Sequence, residues 1–146
     1  MNLIDANAVN DVLKDRISIT KDYYLVPDVV DEVELTTLTY GKSLPAEIQN
    51  LASLHVFDLG IYLKHYQSML NSHGGRSFFN MTGFGDISTL ASIHMLLEVF
   101  EIQKTEQLFD PTEPILTFTR DHGLKRRIEK EFSGRNIEVR SIDQLT

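Results

Sequence analysis

Ile115-Leu116-Thr117-Phe118-Thr119-Arg120-Asp121-His122-Gly123-Leu124-Lys125-Arg126-Arg127 changes character in its middle. A short apolar and β-branched run, Ile115 to Phe118, reads as a strand. A hydroxyl, a cation and an acid follow it. Then comes a basic amphipathic pattern that predicts a helix from about Asp121 to Phe132. A strand that ends in an acid and turns into a helix is one unit of an alternating α/β chain, so the question is whether the unit recurs.

It recurs toward both ends. Asn2 to Asp5 reads as a short buried strand, and Ala6 to Arg16 follows with Val9, Val12, Leu13 and Ile17 at helical spacing. Tyr23 to Val26 is a second apolar run, ended by Pro27, a residue suited to the first position of a helix. Val29, Val30 and Val33 then fit the inner face of that helix. Residues 41–53, with Pro45, read as a loop with room for a short helix. Leu54-His55-Val56-Phe57 reads as a third strand, and Ile61 to Leu70 as a helix. Asn71 to Arg76 contains serine, histidine and two glycines and predicts a break. Gly85-Asp86 then opens a long helical pattern through Leu90, Ala91, His94 and Leu97, with Asp86 placed to cap it. Ile137 to Arg140 reads as the last strand. This order predicts a three-layer α/β/α sandwich with a central parallel five-stranded sheet, formed by residues 1–146 as a single domain. Right-handed crossovers place the C-terminal ends of the strands on one edge, where ligands of such folds bind.

Composition agrees with such a fold. The chain has 146 residues, 42% hydrophobic and 24% charged, long enough to bury roughly 70% of its unfolded surface. No apolar run reaches the ~20 residues of a membrane helix, and no basic segment followed by an apolar core predicts a secretory signal. A cytoplasmic protein without membrane association is the expectation. There are no cysteines, which excludes disulfides and thiolate metal sites. The net charge of −7 argues against general attraction to nucleic acid. Yet Lys125, Arg126, Arg127 and Lys130 lie together, with Arg120, Arg135 and Arg140 nearby. That patch reads either as a solvated helix face or as a place for phosphates beside an acidic site.

Acids fall where the alternation predicts the ligand edge. Asp5 ends the first strand, Asp31, Glu32 and Glu34 follow the second, Asp86 starts the long helix and Asp121 follows the fourth strand. Singly, Asp86 and Asp121 read as helix caps worth roughly 1 kcal/mol each, and Asp5 as a turn residue. Together they imply hard divalent cations, because converging carboxylates repel one another unless oxygen-liganded ions such as Mg2+ or Mn2+ lie between them. Such ions serve phosphodiester hydrolysis. The histidines (His55, His65, His73, His94 and His122) show no HExxH-like spacing, and His94 on its apolar face reads as a hydrogen-bonded core residue. Gly83-x-Gly85-x-x-Ser88 lacks a third glycine and reads as a turn, and there is no P-loop or GxSxG elbow.

These pieces resemble the PIN domain family of small metal-dependent nucleases. Asp5-Ala6-Asn7 is similar to its first-strand motif. VPDVVDEVE at 26–34 is similar to its second-strand exit, TGFGDISTLASIHML at 82–96 to the entry of its central helix, and ILTFTRDHGLKRR at 115–127 to its fourth-strand signature. NIEVRSIDQL at 136–145 suits its last strand. The resemblance spans nearly the whole chain and is weakest over 41–80. It implies that Asp5, Glu32, Asp86 and Asp121 hold one or two Mg2+ or Mn2+ ions, that Thr119 positions ligands or water, and that Asn7 supports the local geometry. After Pro27 the register allows Glu32, Glu34 or Asp31 as the second acid, and the Val-x-x-Glu-Val pattern favours Glu32. The resemblance further implies an endoribonuclease that leaves a 5′-phosphate and a 3′-hydroxyl, with Arg120, Lys125, Arg126 and Arg127 meeting the RNA. It also implies the toxin of a toxin–antitoxin pair, a homodimer restrained by a small antitoxin protein. A PIN-like RNA-binding or assembly module without catalysis is the alternative. A receiver-like phosphoacceptor domain ranks last, because a lysine after a late strand is missing.

Overall fold

The computed structural model describes residues 1–72, 84–102 and 113–144. Five short parallel strands form one sheet: β1 (Asn2–Ile4), β2 (Tyr23–Leu25), β3 (Ile48–Asn50), β4 (Ile115–Phe118) and β5 (Ile137–Arg140), in the order β3-β2-β1-β4-β5. The helices are α1 (Ala6–Leu13), α2 (Pro27–Tyr40), α3 (Leu59–Ser72), α4 (Phe84–Ile102) and α5 (His122–Glu131). The fold is therefore a three-layer α/β/α sandwich. Leu3 pairs with Thr117 on one side and Tyr24 on the other, so β1 is central, and its side chains Leu3 and Ile4 are buried.

The strand order decides where a ligand can sit. From β1 the chain moves outward to β2 and β3, then crosses back to place β4 on the other side of β1. Right-handed crossovers on the two sides put α1 and α2 on one face of the sheet and α4 and α5 on the other. Between the ends of β1 and β4 the connections leave in opposite directions and open a crevice. Asp5 and Thr119 are the first residues beyond those two strands.

Helix α4 is buried nearly all round: Ile87, Leu90, Ala91, Ile93, Met95 and Leu96 are core, as are Ser88 and Ser92. A helix that is apolar on every side belongs inside a protein, and α3 and α2 are the helices that pack against it most. The His65 ring on α3 stacks on His94 of α4 at 4.6 Å, and His94 packs on Phe132 at 4.5 Å, just past α5. His94 Nε2 lies 3.0 Å from Glu131 and His65 Nε2 lies 2.8 Å from Glu98. His94 is hydrogen-bonded, as expected, but half-buried rather than core.

Four local expectations are corrected. The third strand is Ile48–Asn50, not residues 54–57. It is an edge strand with only Ile48 buried, so no alternation marks it. Leu54 to Phe57 instead closes turns, with Leu54 N–H donating to Leu51 O and Phe57 N–H to Leu54 O, and buries Val56 without sheet pairing. Asp86 is not the cap of α4. The helix begins at Phe84, and its first turn holds both Asp86 and Gly85, where the glycine spacing alone suggests a turn. Of the break predicted at Asn71 to Arg76, Asn71 and Ser72 belong to α3 instead; residues 73–76 and Gly83 lie outside the described residues.

Helix α2 ends at Gly41, whose φ of 63° is left-handed. Its N–H donates to Leu38 O, and a side chain there would meet nothing within 4 Å. The cost of Gly41→Ala is therefore conformational alone, and chemical denaturation should register a loss of about 1 kcal/mol.

Candidate functional site

Asp5 leaves β1 as the N-cap of α1. Its Oδ1 accepts from Ala6 N–H at 2.8 Å, and its own N–H donates to Phe118 O at 3.0 Å, which ties it to the end of β4. Its Oδ2 accepts from the Thr119 hydroxyl at 2.7 Å. The same Thr119 oxygen accepts from Asp121 N–H at 3.0 Å, so one buried hydroxyl links the first acid to the backbone of the last. Asp121 is the N-cap of α5, with Oδ1 accepting from Gly123 and Leu124 N–H at 2.8 and 3.1 Å. The capping expected of Asp121 is present, and it coexists with a place at the crevice.

The other two acids come from helices. Asp86 is only 5% exposed in the first turn of α4, and its Oδ2 is buried without a hydrogen-bond partner. Glu32 stands on the second turn of α2, where Gly85 brings the two helices close: a Cβ on Gly85 would lie 3.4 Å from Val29 and 3.7 Å from Glu32 Oε1. Asp5, Asn7, Glu32, Asp86, Arg120 and Asp121 all line one cavity of about 210 Å3, together with Ala6 and Gly85. Neither Asp31 nor Glu34 lines it. Val29 and Val33 are buried, and Asp28 and Glu32 share the next stripe of α2, four residues apart.

The electrostatics of the cavity are those of crowded carboxylates. Burial holds the Asp86 carboxyl up at about 7, and the charges of Asp121, Asp5 and Glu32 add to the effect. Burial also raises Asp5, opposed by the hydrogen bonds from Thr119 and Ala6. Glu32 is raised by burial and by the charges of Asp5 and Asp28. An all-oxygen donor set and an orphaned buried carboxylate oxygen fit a hard divalent cation. Yet among the described residues no three acidic or histidine side chains stand close enough together to grip one ion. The Asp5 carboxylate is drawn to a backbone and a hydroxyl donor and the Asp121 carboxylate to two backbone donors, and like charges repel across the cavity. The quartet shares a cavity without closing into a ligand set.

The chain matches no family model, no curated protein and no solved structure.

The basic residues separate into different places. Arg120 lines the acidic cavity, but its guanidinium is bound by Asp11, a buried acid on α1 that also lies 3.4 Å from Arg16. Lys125 is exposed at the mouth of a neighbouring cavity. Arg126 is exposed and lines neither cavity. Arg127 is half-buried and lies 3.3 Å from Glu131, the acid that also meets His94, rather than beside the cavity acids. Two features escape the sequence reading. Asp11 looks like an ordinary polar residue of an amphipathic helix. Asp28 accepts a 2.8 Å hydrogen bond from the Tyr66 hydroxyl of α3. Beside it, the Tyr62 hydroxyl meets Ser88 Oγ at 2.8 Å, and burial pushes that phenol up to about 12. The spacing Asp28-x-x-x-Glu32 after Pro27 is the signal available for Asp28.

Proposed function

We propose that the protein is a Mg2+- or Mn2+-dependent nuclease of PIN type that hydrolyses RNA phosphodiester bonds. The observation that carries this reading is the convergence of Asp5, Glu32, Asp86 and Asp121, from four separate elements, on one cavity at the β1/β4 crevice. Capping accounts for Asp5 and Asp121 but not for Asp86, which is buried in its charged neighbourhood with an oxygen unpaired. A divalent ion bound there would offset charge on the phosphodiester and ease deprotonation of the attacking water. In this arrangement Asp5, Glu32, Asp86 and Asp121 are the ligand candidates. Thr119 fixes the Asp5 carboxylate and the Asp121 backbone in one geometry, and Asn7 lines the entrance. Cleavage in the middle of an RNA, a cytoplasmic toxin role, a homodimer and a restraining antitoxin extend the same proposal.

The test uses the one acid whose structural role an amide keeps. Asparagine is as good an N-cap as aspartate, so Asp121→Asn retains the cap of α5 and removes only charge. Wild-type protein should cut labelled single-stranded RNA with Mn2+ or Mg2+ and not in EDTA. Asp121→Asn should melt within a few degrees of wild type and lose at least about tenfold of the rate, the equivalent of ~1.4 kcal/mol. A variant that cuts at the wild-type rate would remove Asp121 from the chemistry.

The absence of a closed three-acid group among the described residues favours one second reading, an RNA-binding or assembly module without catalysis. Binding of RNA in EDTA, with no cleavage in either metal, would select it.

A further inference from the structure

Next to the acidic cavity lies another of about 300 Å3, between the exit of β4, the start of α5 and the segment after β5. Arg120 and Asp121 form the wall that the two share. Arg120, Lys125 and Arg140 bring three cations to it from three different elements, with His122 and Ser141 alongside. The framework is fixed by backbone: Phe118 is in register with Arg140, and Thr119 N–H donates to Arg140 O at 3.2 Å.

Each cation is steadied from behind yet stays at the surface. Arg140 spends Nε and one terminal nitrogen on Glu138, at 3.2 and 2.9 Å, and a guanidinium has further donors to offer. Lys125 is 3.9 Å from Glu129, and Arg120 is held by Asp11. The side chains of Arg140, Lys125 and Arg120 are 40%, 50% and 54% exposed, so an incoming anion can reach each of them while its carboxylate partner stays in place. Asp121 and Asp143 are the opposing charges in the lining.

We propose that this second cavity is a phosphate subsite. It would receive the backbone of single-stranded RNA one step along from the phosphodiester offered to the acids, with Arg140 and Lys125 as the principal donors. The choice of RNA rests on the nuclease reading. A −7 protein that handles a polyanion needs a local cationic place, and this one adjoins the acids through a shared wall. Arg126 and Arg127, though next in sequence to Lys125, take no part.

The test reads binding, not cleavage. A fluorescent single-stranded oligoribonucleotide is titrated with the full chain in EDTA over a series of KCl concentrations. Arg140→Ala and Lys125→Ala should each weaken binding several-fold, and the double variant should lower the salt slope by roughly 0.7 for each cation lost. Asp143→Asn should tighten binding, and Lys64→Ala on α3 should match wild type. Circular dichroism confirms that each variant is folded. Wild-type affinity and slope in the folded double variant would overturn the subsite, as would absence of RNA binding by the wild type. The two proposals fail separately. RNA binding that depends on Arg140 and Lys125, without cleavage in Mn2+, keeps the subsite and sinks the nuclease. Metal-dependent cleavage with unchanged affinity in the double variant does the reverse.

Discussion

Asp86→Asn should make the metal-free protein more stable and abolish metal-dependent RNA cleavage. Asp86 is almost fully buried, has an unpaired oxygen, and titrates near 7 rather than near 4. The folded state therefore holds a proton that the unfolded chain gives up between about pH 4 and 7. By linkage, stability falls as pH rises through that window, and the full cost is present above pH 7 and absent below pH 4. Raising a carboxyl's titration midpoint by one pH unit costs ~1.4 kcal/mol, so removing the charge should return roughly 2 kcal/mol or more at pH 8. Loss of an acid from the first turn of α4 opposes this by ~0.3–1 kcal/mol, and burial wins. The melting temperature in EDTA should rise by about 5 °C at pH 8 and be unchanged near pH 4. Added Mn2+ should reverse the order. Wild type should gain stability with metal, more so at pH 8 than at pH 6, where protons compete for Asp86. The variant should gain little, and its cleavage should fall on the order of a thousandfold. A variant that is no more stable in EDTA and still cuts would show that Asp86 is neither strained nor used.

Thr119→Val should destabilise the fold by about 2–4 kcal/mol, a drop of roughly 5–10 °C. Valine matches the shape of threonine but not its hydroxyl. Two hydrogen bonds are lost together: the donation to Asp5 Oδ2 at 2.7 Å and the acceptance from Asp121 N–H at 3.0 Å. One partner is a carboxylate and the position is buried, which puts the loss at the upper end for a hydroxyl. The pH dependence follows from Asp5. The Thr119 hydrogen bond lowers its raised carboxyl, so the variant's Asp5 binds its proton more tightly in the folded state than wild type does. The stability gap between variant and wild type should thus widen as pH rises through the Asp5 titration. Thr119→Ser keeps the hydroxyl and should stay within about 1 kcal/mol of wild type. Urea melts at pH 5 and pH 8 decide the matter: equal losses for serine and valine would mean that the methyl group, not the hydroxyl, holds the site.

Much of the architecture is written in local pattern. Ile115 to Phe118 and Tyr23 to Leu25 are apolar or aromatic runs, Ile137 to Arg140 alternates apolar with charged residues, and all three are strands. Valines and leucines at helical spacing mark α1, α2 and α5, because one side of each helix must face the sheet. Alternation of the two element types then dictates a parallel sheet, and with it the edge at which Asp5, Asp86 and Asp121 are found. These features rest on contacts between near neighbours in the chain and on a general rule of handedness, so they are legible before any tertiary contact is known.

Other features depend on what lies opposite in space. Ile48–Asn50 is a strand only because β2 presents free backbone groups to it; three residues with one buried side chain carry no periodic signal. That Glu32, and neither Asp31 nor Glu34, lines the acidic cavity follows from the approach of α4 at Gly85, which no spacing within α2 encodes. Arg127 and Lys125 are two residues apart on one basic helix, and 3.6 residues per turn sends them to different surroundings, Glu131 and the second cavity. Asp11 and Arg120 are 109 positions apart in the chain and meet only in the fold. Above all, burial of Asp86 is a tertiary fact. Its neighbours in sequence allow a cap, and only the packing of α4 against α2 and the sheet leaves it desolvated, unpaired and facing three other acids. Residue type supplied the chemistry, and desolvation by distant elements decided what that chemistry can do.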